Sequence, residues 1–155
     1  MRLLRSERGG NLPGIVYILD LAKHQVSTIP GSEGFFSPRW SPDGRFIAAE
    51  SDNGLSLKIF DLVKPRAWVV ETGTEAEWHT WSRDGRSIYF ESVQGQPGVF
   101  RIPVQGGKRE MVVDLKDFHS PGIGGSYFTL DPTDAPLLLH FNGSDDIYAL
   151  TLEEK

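Results

Sequence analysis

One string of residues constrains this chain more than any other. Trp40-Ser41-Pro42-Asp43-Gly44-Arg45-Phe46-Ile47-Ala48-Ala49-Glu50-Ser51 returns as Trp81-Ser82-Arg83-Asp84-Gly85-Arg86-Ser87-Ile88-Tyr89-Phe90-Glu91-Ser92, with eight of the twelve positions identical at an offset of 41. The same offset carries Ile18, Asp20, Leu21 and Lys23 onto Ile59, Asp61, Leu62 and Lys64, so the duplicated unit is much longer than the string. A repeat of about 40 residues cannot bury its own apolar face and must stack on its neighbours. Four-stranded propeller blades and helical repeats of the HEAT and armadillo type both have periods of this length.

Local patterning separates the two. Phe46 to Glu50, Leu57 to Phe60, Ser87 to Glu91 and Val99 to Ile102 are short runs rich in β-branched and aromatic residues, each bounded by turn chemistry. Asp43-Gly44 and Asp84-Gly85 supply the positive-φ glycine of a tight hairpin, and Pro42 presets φ at the first turn position. Asp52-Asn53-Gly54 and Gln105-Gly106-Gly107 mark further hairpins. No long run shows helical periodicity, which excludes the helical solenoids. Gly 17 and Pro 10 among 155 residues fit a chain of short strands and many turns.

With the strands of a blade lettered a to d from the axis outward, the first complete blade has a near Phe36 to Trp40, b at Phe46 to Glu50, c at Leu57 to Asp61 and d at Ala67 to Glu71. The second has Glu77 to Trp81, Ser87 to Glu91, Val99 to Ile102 and Glu110 to Val113. A third, less regular unit runs from Tyr127 through Leu137 to His140 and on to Ile147 to Leu152, with Asp131-Pro132-Thr133-Asp134 in place of the Asp-Gly turn. Ile15 to Leu21 and Gln25 to Ile29 read as strands c and d of a leading unit, and Arg2 to Arg5 as the remainder of its strand b. The expected fold is therefore all-β, a partial, open β-propeller of four-stranded antiparallel blades, divided into an incomplete blade (1–32), two full blades (33–73 and 74–116) and an incomplete blade (117–155). Such a chain is expected either to be the C-terminal part of a larger propeller or to have its ring completed by further copies or a partner chain. Its open blades would present edge strands and apolar faces for pairing.

Composition removes several function classes. The absence of cysteine excludes disulfide scaffolds, zinc-thiolate sites and thiol catalysis. A net charge of −5, with Arg2, Arg5 and Arg8 the one basic cluster, argues against direct nucleic acid binding. No stretch approaches the roughly 18 apolar residues of a membrane span, and Met1 to Gly10 lacks the apolar region of a secretory signal. As written, the chain is expected to stay in the cytoplasm, although a parent protein could place it elsewhere.

No Gly-x-Ser-x-Gly elbow, His-Glu-x-x-His helix or phosphate-cradling loop occurs in the sequence. His24, His79, His119 and His140 stand singly, which does not favour a metal site, and no cofactor is expected. Asp43 and Asp84 read as turn residues bonding their own backbone rather than as catalytic acids. Trp40, Asp43, Gly44, Trp81, Asp84 and Gly85 thus form a structural turn motif. Glu50 and Glu91 occupy equivalent strand positions, and such copying points to structure, because an active site gathers different groups once. The Gly143-Ser144-Asp145-Asp146 cluster reads as a solvated hairpin tip, since the alternating ligands of an EF-hand loop are missing. The connection from Asp117 to Ser126, with three glycines, is either a ligand-facing loop or a slack link.

The functional lead lies where the copies differ. Loops entering strand a gather on one propeller face, where Phe36-Ser37-Pro38-Arg39 of one blade meets Glu77-Trp78-His79-Thr80 of the next. Arg39, Trp78 and His79 are the candidate contact residues, offering a charge, an aromatic surface and a titratable ring. Inter-blade packing is the plainer role for Trp78.

The Trp-Ser-x-Asp-Gly-Arg-x-Ile strings resemble the TolB-like propeller repeat, over nearly the whole chain. More narrowly, Gly31 to Arg45, Trp81 to Gly85, Ala135 to Leu139 and Asp146 to Leu150 resemble the C-terminal propellers of multidomain bacterial winged-helix regulators or serine/threonine kinases. That resemblance implies a non-enzymatic binding or sensor module for a protein, peptide or small ligand, within a larger signalling or transcription-regulatory protein. The propeller cap of a prolyl-oligopeptidase-type hydrolase and a self-associating structural module are the alternatives.

Overall fold

The computed structural model describes residues 2–7, 14–117 and 127–139. Among them every regular element is a strand: β1 (Arg2–Glu7), β2 (Ile15–Asp20), β3 (Gln25–Thr28), β4 (Phe35–Trp40), β5 (Phe46–Ser51), β6 (Ser56–Asp61), β7 (Arg66–Glu71), β8 (Glu77–Trp81), β9 (Ser87–Ser92), β10 (Gly98–Pro103), β11 (Glu110–Asp114), β12 (Tyr127–Leu130) and β13 (Pro136–Leu139). They form four antiparallel sheets in the orders β1-β2-β3, β4-β5-β6-β7, β8-β9-β10-β11 and β12-β13. Sequence neighbours are sheet neighbours throughout, so each hairpin turn sets its own register. The architecture is a partial β-propeller, with two four-stranded blades flanked by a three-stranded and a two-stranded sheet. The expected strand from Ile147 to Leu152, most of the 117–126 connection, the 143–146 cluster, His119 and His140 lie outside the described residues.

The duplicated string builds the turn between the first two strands of each full blade. Ser41 Oγ donates to Asp43 Oδ1 at 2.6 Å, the same carboxylate oxygen accepts from Arg45 N at 3.0 Å, and Phe46 N donates to Ser41 Oγ at 2.8 Å. Ser82, Asp84, Arg86 and Ser87 repeat this pattern at 2.7, 2.9 and 2.9 Å. Gly44 and Gly85 sit at φ 70° and 69°, a region that side chains with a Cβ seldom enter. These bonds hold the Asp43 and Asp84 carboxyls below the usual range, Ser41 leading at the first and the Arg86 amide at the second. The last sheet reaches the same turn with the roles exchanged. Asp131 Oδ1 accepts from Thr133 N at 2.7 Å and Ala135 N at 2.9 Å, and Asp134 takes the left-handed position at φ 65°.

Stacking explains why the second strands are almost continuously apolar. A sheet packed on both faces buries both sets of alternating side chains. In β5, Ile47 and Ala49 pack towards β2 with Val16, Ile29 and Phe60, while Ala48 turns to the next blade. In β9, Ile88 and Phe90 face back onto Leu57, Ile59 and Val70, and Tyr89 faces forward onto Phe128. Each fully buried Leu, Ile or Phe here contributes roughly 1.5–3 kcal/mol relative to exposure. The final residue of each innermost strand is a plug: Trp40, Trp81 and Leu130 pack in three successive inter-sheet cores. Trp81 stacks on Phe46 with centroids 6.3 Å apart and donates Nε1 to Arg39 O at 3.1 Å, joining the inner strands of adjacent blades.

Polar groups stitch the same joints. Trp68 Nε1 donates to Val104 O at 2.8 Å, and Arg109 Nη1 to Thr72 O at 2.9 Å, on the outer strands. At the turns, Arg83 N donates to Asp134 Oδ1 at 2.8 Å and Arg83 Nη1 to Pro132 O at 3.0 Å. Within the first full blade the buried Asp61 carboxylate accepts from Arg45 Nε and Nη2 at 3.2 and 2.8 Å and from the amides of Val63 and Lys64. The Arg45 guanidinium leads these bonds in holding its pKa far below the usual carboxylate range. Asp20 receives the equivalent amide bonds from Ala22 and Lys23. The second blade has Pro103 at that point, so Arg86 turns instead to Asp84, 4.0 Å away.

Candidate functional site

The innermost strands β4 and β8 lie side by side, and each carries the same irregularity. Phe36 pairs with Glu50 and Arg39 with Ala48, which leaves Ser37 and Pro38 bulged. Glu77 pairs with Glu91 and Thr80 with Tyr89, which leaves Trp78 and His79 bulged. Ser37 and Trp78, equivalent under the repeat, adopt φ 50° and 53°. Left-handed backbone at a residue other than glycine costs roughly 1–3 kcal/mol and persists only where its surroundings impose it. A bulge re-aims the side chains around it. Here it directs Trp78 outward, 37% exposed, and turns His79 inward, 1% exposed.

Between the paired bulges lies a depression of 270 Å³ lined by Phe36, Ser37, Glu50, Glu77 and Trp78. That is slightly below the roughly 300–1,000 Å³ of drug-sized pockets. Larger depressions, of 420 and 640 Å³, lie on the outer strands around Arg109 and along the β2–β3 hairpin. Neither touches the inner strands.

The depression is acidic on one side and aromatic on the other. Burial first, then the charges of Glu75 and Glu91, push the Glu77 carboxyl above its ordinary value. Glu50 is itself buried, and its Oε2 lies 3.9 Å from His79 Nδ1. The His79 ring is wholly buried, and burial depresses its pKa to about 4, assisted by the Arg39 charge and opposed by the bond to Ala48 O. The ring is thus neutral at neutral pH, and the short distance to Glu50 is not an ion pair under those conditions. A carbonyl oxygen can only accept, so Nε2, 3.4 Å from Ala48 O, carries the proton and Nδ1 presents a lone pair. Nδ1 makes no hydrogen bond.

Of the three residues singled out from sequence, Trp78 therefore lies on the rim of the depression, and His79 lies behind it as a buried joint between blades. Arg39 is exposed, with its guanidinium bonded to Pro38 O at 3.2 Å and its charge within electrostatic reach of His79. The carboxylates Glu50 and Glu77 and the ring of Phe36 complete the lining. Sequence reasoning placed Glu50 among repeated structural residues and gave Glu77 no role. The signal for the bulge is a parity break. Phe35 and Trp40, five residues apart, pack in one core, and so do Ala76 and Trp81. Strict alternation forbids that odd spacing. Among the described residues, no group of three or more His, Asp or Glu side chains is placed to hold a metal ion.

No family model matches the chain, and no curated protein matches it in sequence. Among solved structures it is similar to the crystal structure of TolB from Acinetobacter baumannii, with a TM-score of 0.64 and 18% sequence identity over 86% of this chain. The match takes in 33% of the TolB chain, so this chain spans about a third of that structure's length. At that identity the likeness concerns architecture, and together with the sheet order and the repeated turns it makes this a β-propeller of the TolB-like fold.

Proposed function

We propose that this chain is a non-enzymatic propeller module that binds a protein or ligand at the inner-strand end of its blades, as part of a larger signalling or regulatory protein. The observation that carries the reading is the pair of strained bulges at Ser37 and Trp78, which hold an exposed indole and two carboxylates around one concavity. Aromatic groups set in such rims are the usual anchors of protein recognition. The acidic residues support a role without catalysis. Asp43 and Asp84 are spent on turns, and Glu50 and Glu91 recur at matching places, whereas catalysis gathers unlike groups at one point. The net charge of −5 favours a partner other than nucleic acid. Membership of a larger ring is supported by the flanking sheets. Val26 and Leu137 are 65% and 51% exposed there, on the sides where further blades would pack.

Site-directed photo-crosslinking tests the reading. A photoreactive residue replacing Trp78 in the full-length protein is expected to yield a discrete adduct with a partner. The same residue at Val69, exposed on the outer strand β7, is expected to yield none. Equal labelling from both positions, or none from position 78, refutes it.

A further inference from the structure

The two full blades differ at the hairpin between their third and fourth strands. Phe60 pairs with Ala67 across β6 and β7, and their counterparts Arg101 and Glu110 pair across β10 and β11, so the connection lengthens from six residues, 61–66, to eight, 102–109. Each connection ends in an arginine. Arg66 meets a carboxylate of its own blade, with Nε 3.4 Å from Asp61 Oδ2. Arg109 has no acidic partner among the described residues and crosses to the blade before it. There it donates Nη1 to Thr72 O at 2.9 Å, and its guanidinium lies 5.2 Å from the centre of the Phe100 ring. Gly73, at φ 68°, makes room for the crossing, since a Cβ there would collide with Nη1. A guanidinium carries five N–H donors in a fixed fork. The bond to Thr72 leaves most of them without a protein acceptor among the described residues.

The guanidinium stands in the 420 Å³ groove along the outer edge of this joint, which Gln96, Lys108 and Glu71 also line. That volume is within the roughly 300–1,000 Å³ of small-ligand sites. Among the described residues neither Lys108 nor Glu71 forms an ion pair. The groove thus gathers two cations, a carboxamide and one carboxylate, a local net positive charge on a chain whose total is −5. We propose that it binds a carboxylate presented by a peptide partner, which takes at Arg109 the place that Asp61 takes at Arg66. The Arg109 fork and the Lys108 ammonium supply charge-assisted bonds to its two oxygens. Glu71 sets the preference for a single negative charge, because a dianion in the same groove meets its repulsion. The proposal goes beyond the binding-module reading above, since the groove shares no lining residue with the inner-strand depression.

The test is titration of the full chain at constant ionic strength, followed through the Arg109 Nε–H and the Gly107 amide in nitrogen-15 NMR spectra. The probes are N-acetylglycine, which mimics a chain terminus, N-acetylglutamic acid α-amide, which mimics an acidic side chain, the uncharged N-acetylglycine amide, and sulfate as the dianion. Saturable shifts are expected with at least one of the two carboxylates, the tighter naming the source, with weaker binding of sulfate and none of the uncharged amide. Lys108→Gln, at an exposed position, should keep the fold and weaken carboxylate binding about threefold. Arg109→Lys, which keeps the charge and loses the fork, should weaken it about tenfold. Glu71→Gln should tighten sulfate binding more than carboxylate binding. No saturable shift from either carboxylate, equal shifts from the uncharged amide, unchanged affinity in both the Lys108 and Arg109 variants, or a sulfate preference unmoved by Glu71→Gln overturns the proposal. A crosslinked partner at position 78 beside a silent groove also overturns it, while leaving the binding-module reading intact. Carboxylate binding in a protein that yields no adduct at position 78 supports it and counts against that reading.

Discussion

Acidification bears directly on the joint behind the depression. His79 is wholly buried, with a pKa of about 4 in the fold against 6.5 as the ordinary value. Well above pH 6.5 both folded and unfolded chains hold the ring neutral, and it contributes no pH dependence. As pH falls below 6.5 the unfolded chain takes up a proton that the folded chain refuses, and stability declines by up to about 1.4 kcal/mol per pH unit. The loss amounts to about 2 kcal/mol by about pH 5 and levels off near 3 kcal/mol once the folded pKa is passed. The turn carboxylates Asp43, Asp84 and Asp131, like Asp61, have depressed pKa values, so their contributions are lost only as pH falls below their ordinary 3.8. Glu77 acts in the opposite sense. Its raised pKa lets the fold gain stability as pH falls towards 4.5, and it partly offsets His79 in the lower part of the window. Urea unfolding followed by tryptophan fluorescence, at steps between about pH 7.5 and 4.5, should show this decline in the native chain. In His79→Leu the decline should be absent or reversed, so the difference between the two curves isolates the imidazole. Parallel curves, or an NMR titration of the His79 ring with a midpoint near 6.5, would refute the reasoning.

Three further perturbations probe the joints and turns. Trp81→Leu removes the Nε1 bond to Arg39 O and the stack on Phe46, and is expected to cost about 2–4 kcal/mol in urea unfolding, whereas Trp81→Phe, which keeps a ring, should cost less. Ser82→Ala leaves the Ser87 amide and the Asp84 carboxylate without their shared partner and should cost about 1 kcal/mol, with Ser82→Ala/Asp84→Ala costing less than the sum of the single changes. Asp61→Asn should lower the thermal midpoint at neutral pH. That difference from the native chain should shrink as pH falls below the ordinary carboxylate range, because the depressed pKa of Asp61 stabilises only while it stays ionised.

The blade register was legible because the residues that define it act locally. The Ser–Asp–Gly turn is closed by bonds within five residues, so Ser41 to Phe46 and Ser82 to Ser87 announce their hairpins in the sequence itself. Strand identity followed from composition, since a sheet buried on both faces must be apolar at successive positions, as Ile47-Ala48-Ala49 is. The depression was legible only as a region, the pair of segments where the repeats differ. Its chemistry depends on contacts between blades, such as His79 with Glu50 and Ala48, which no local pattern encodes. The bulges escaped notice because neither Ser37 nor Trp78 carries the glycine or asparagine that normally marks left-handed backbone. His79 stood among the contact candidates because it lies in the segment where the repeats differ, and nothing in that segment marks which of its side chains turn inward; the structure buries its ring at 1% exposure.

The plug at the end of each innermost strand has a consequence for how such a molecule can change over time. Trp40, Trp81 and Leu130 each travel with their own blade and fit a cavity formed by the blade before it. Every copied unit therefore arrives with a key for the lock behind it and a lock for the key ahead. Duplicating or deleting one unit leaves matching surfaces at the new junction, so the number of blades can drift while the joints stay intact. The residues free to diverge are those at the bulges, where Ser37 in one copy has become Trp78 in the next without disturbing the fold that holds them.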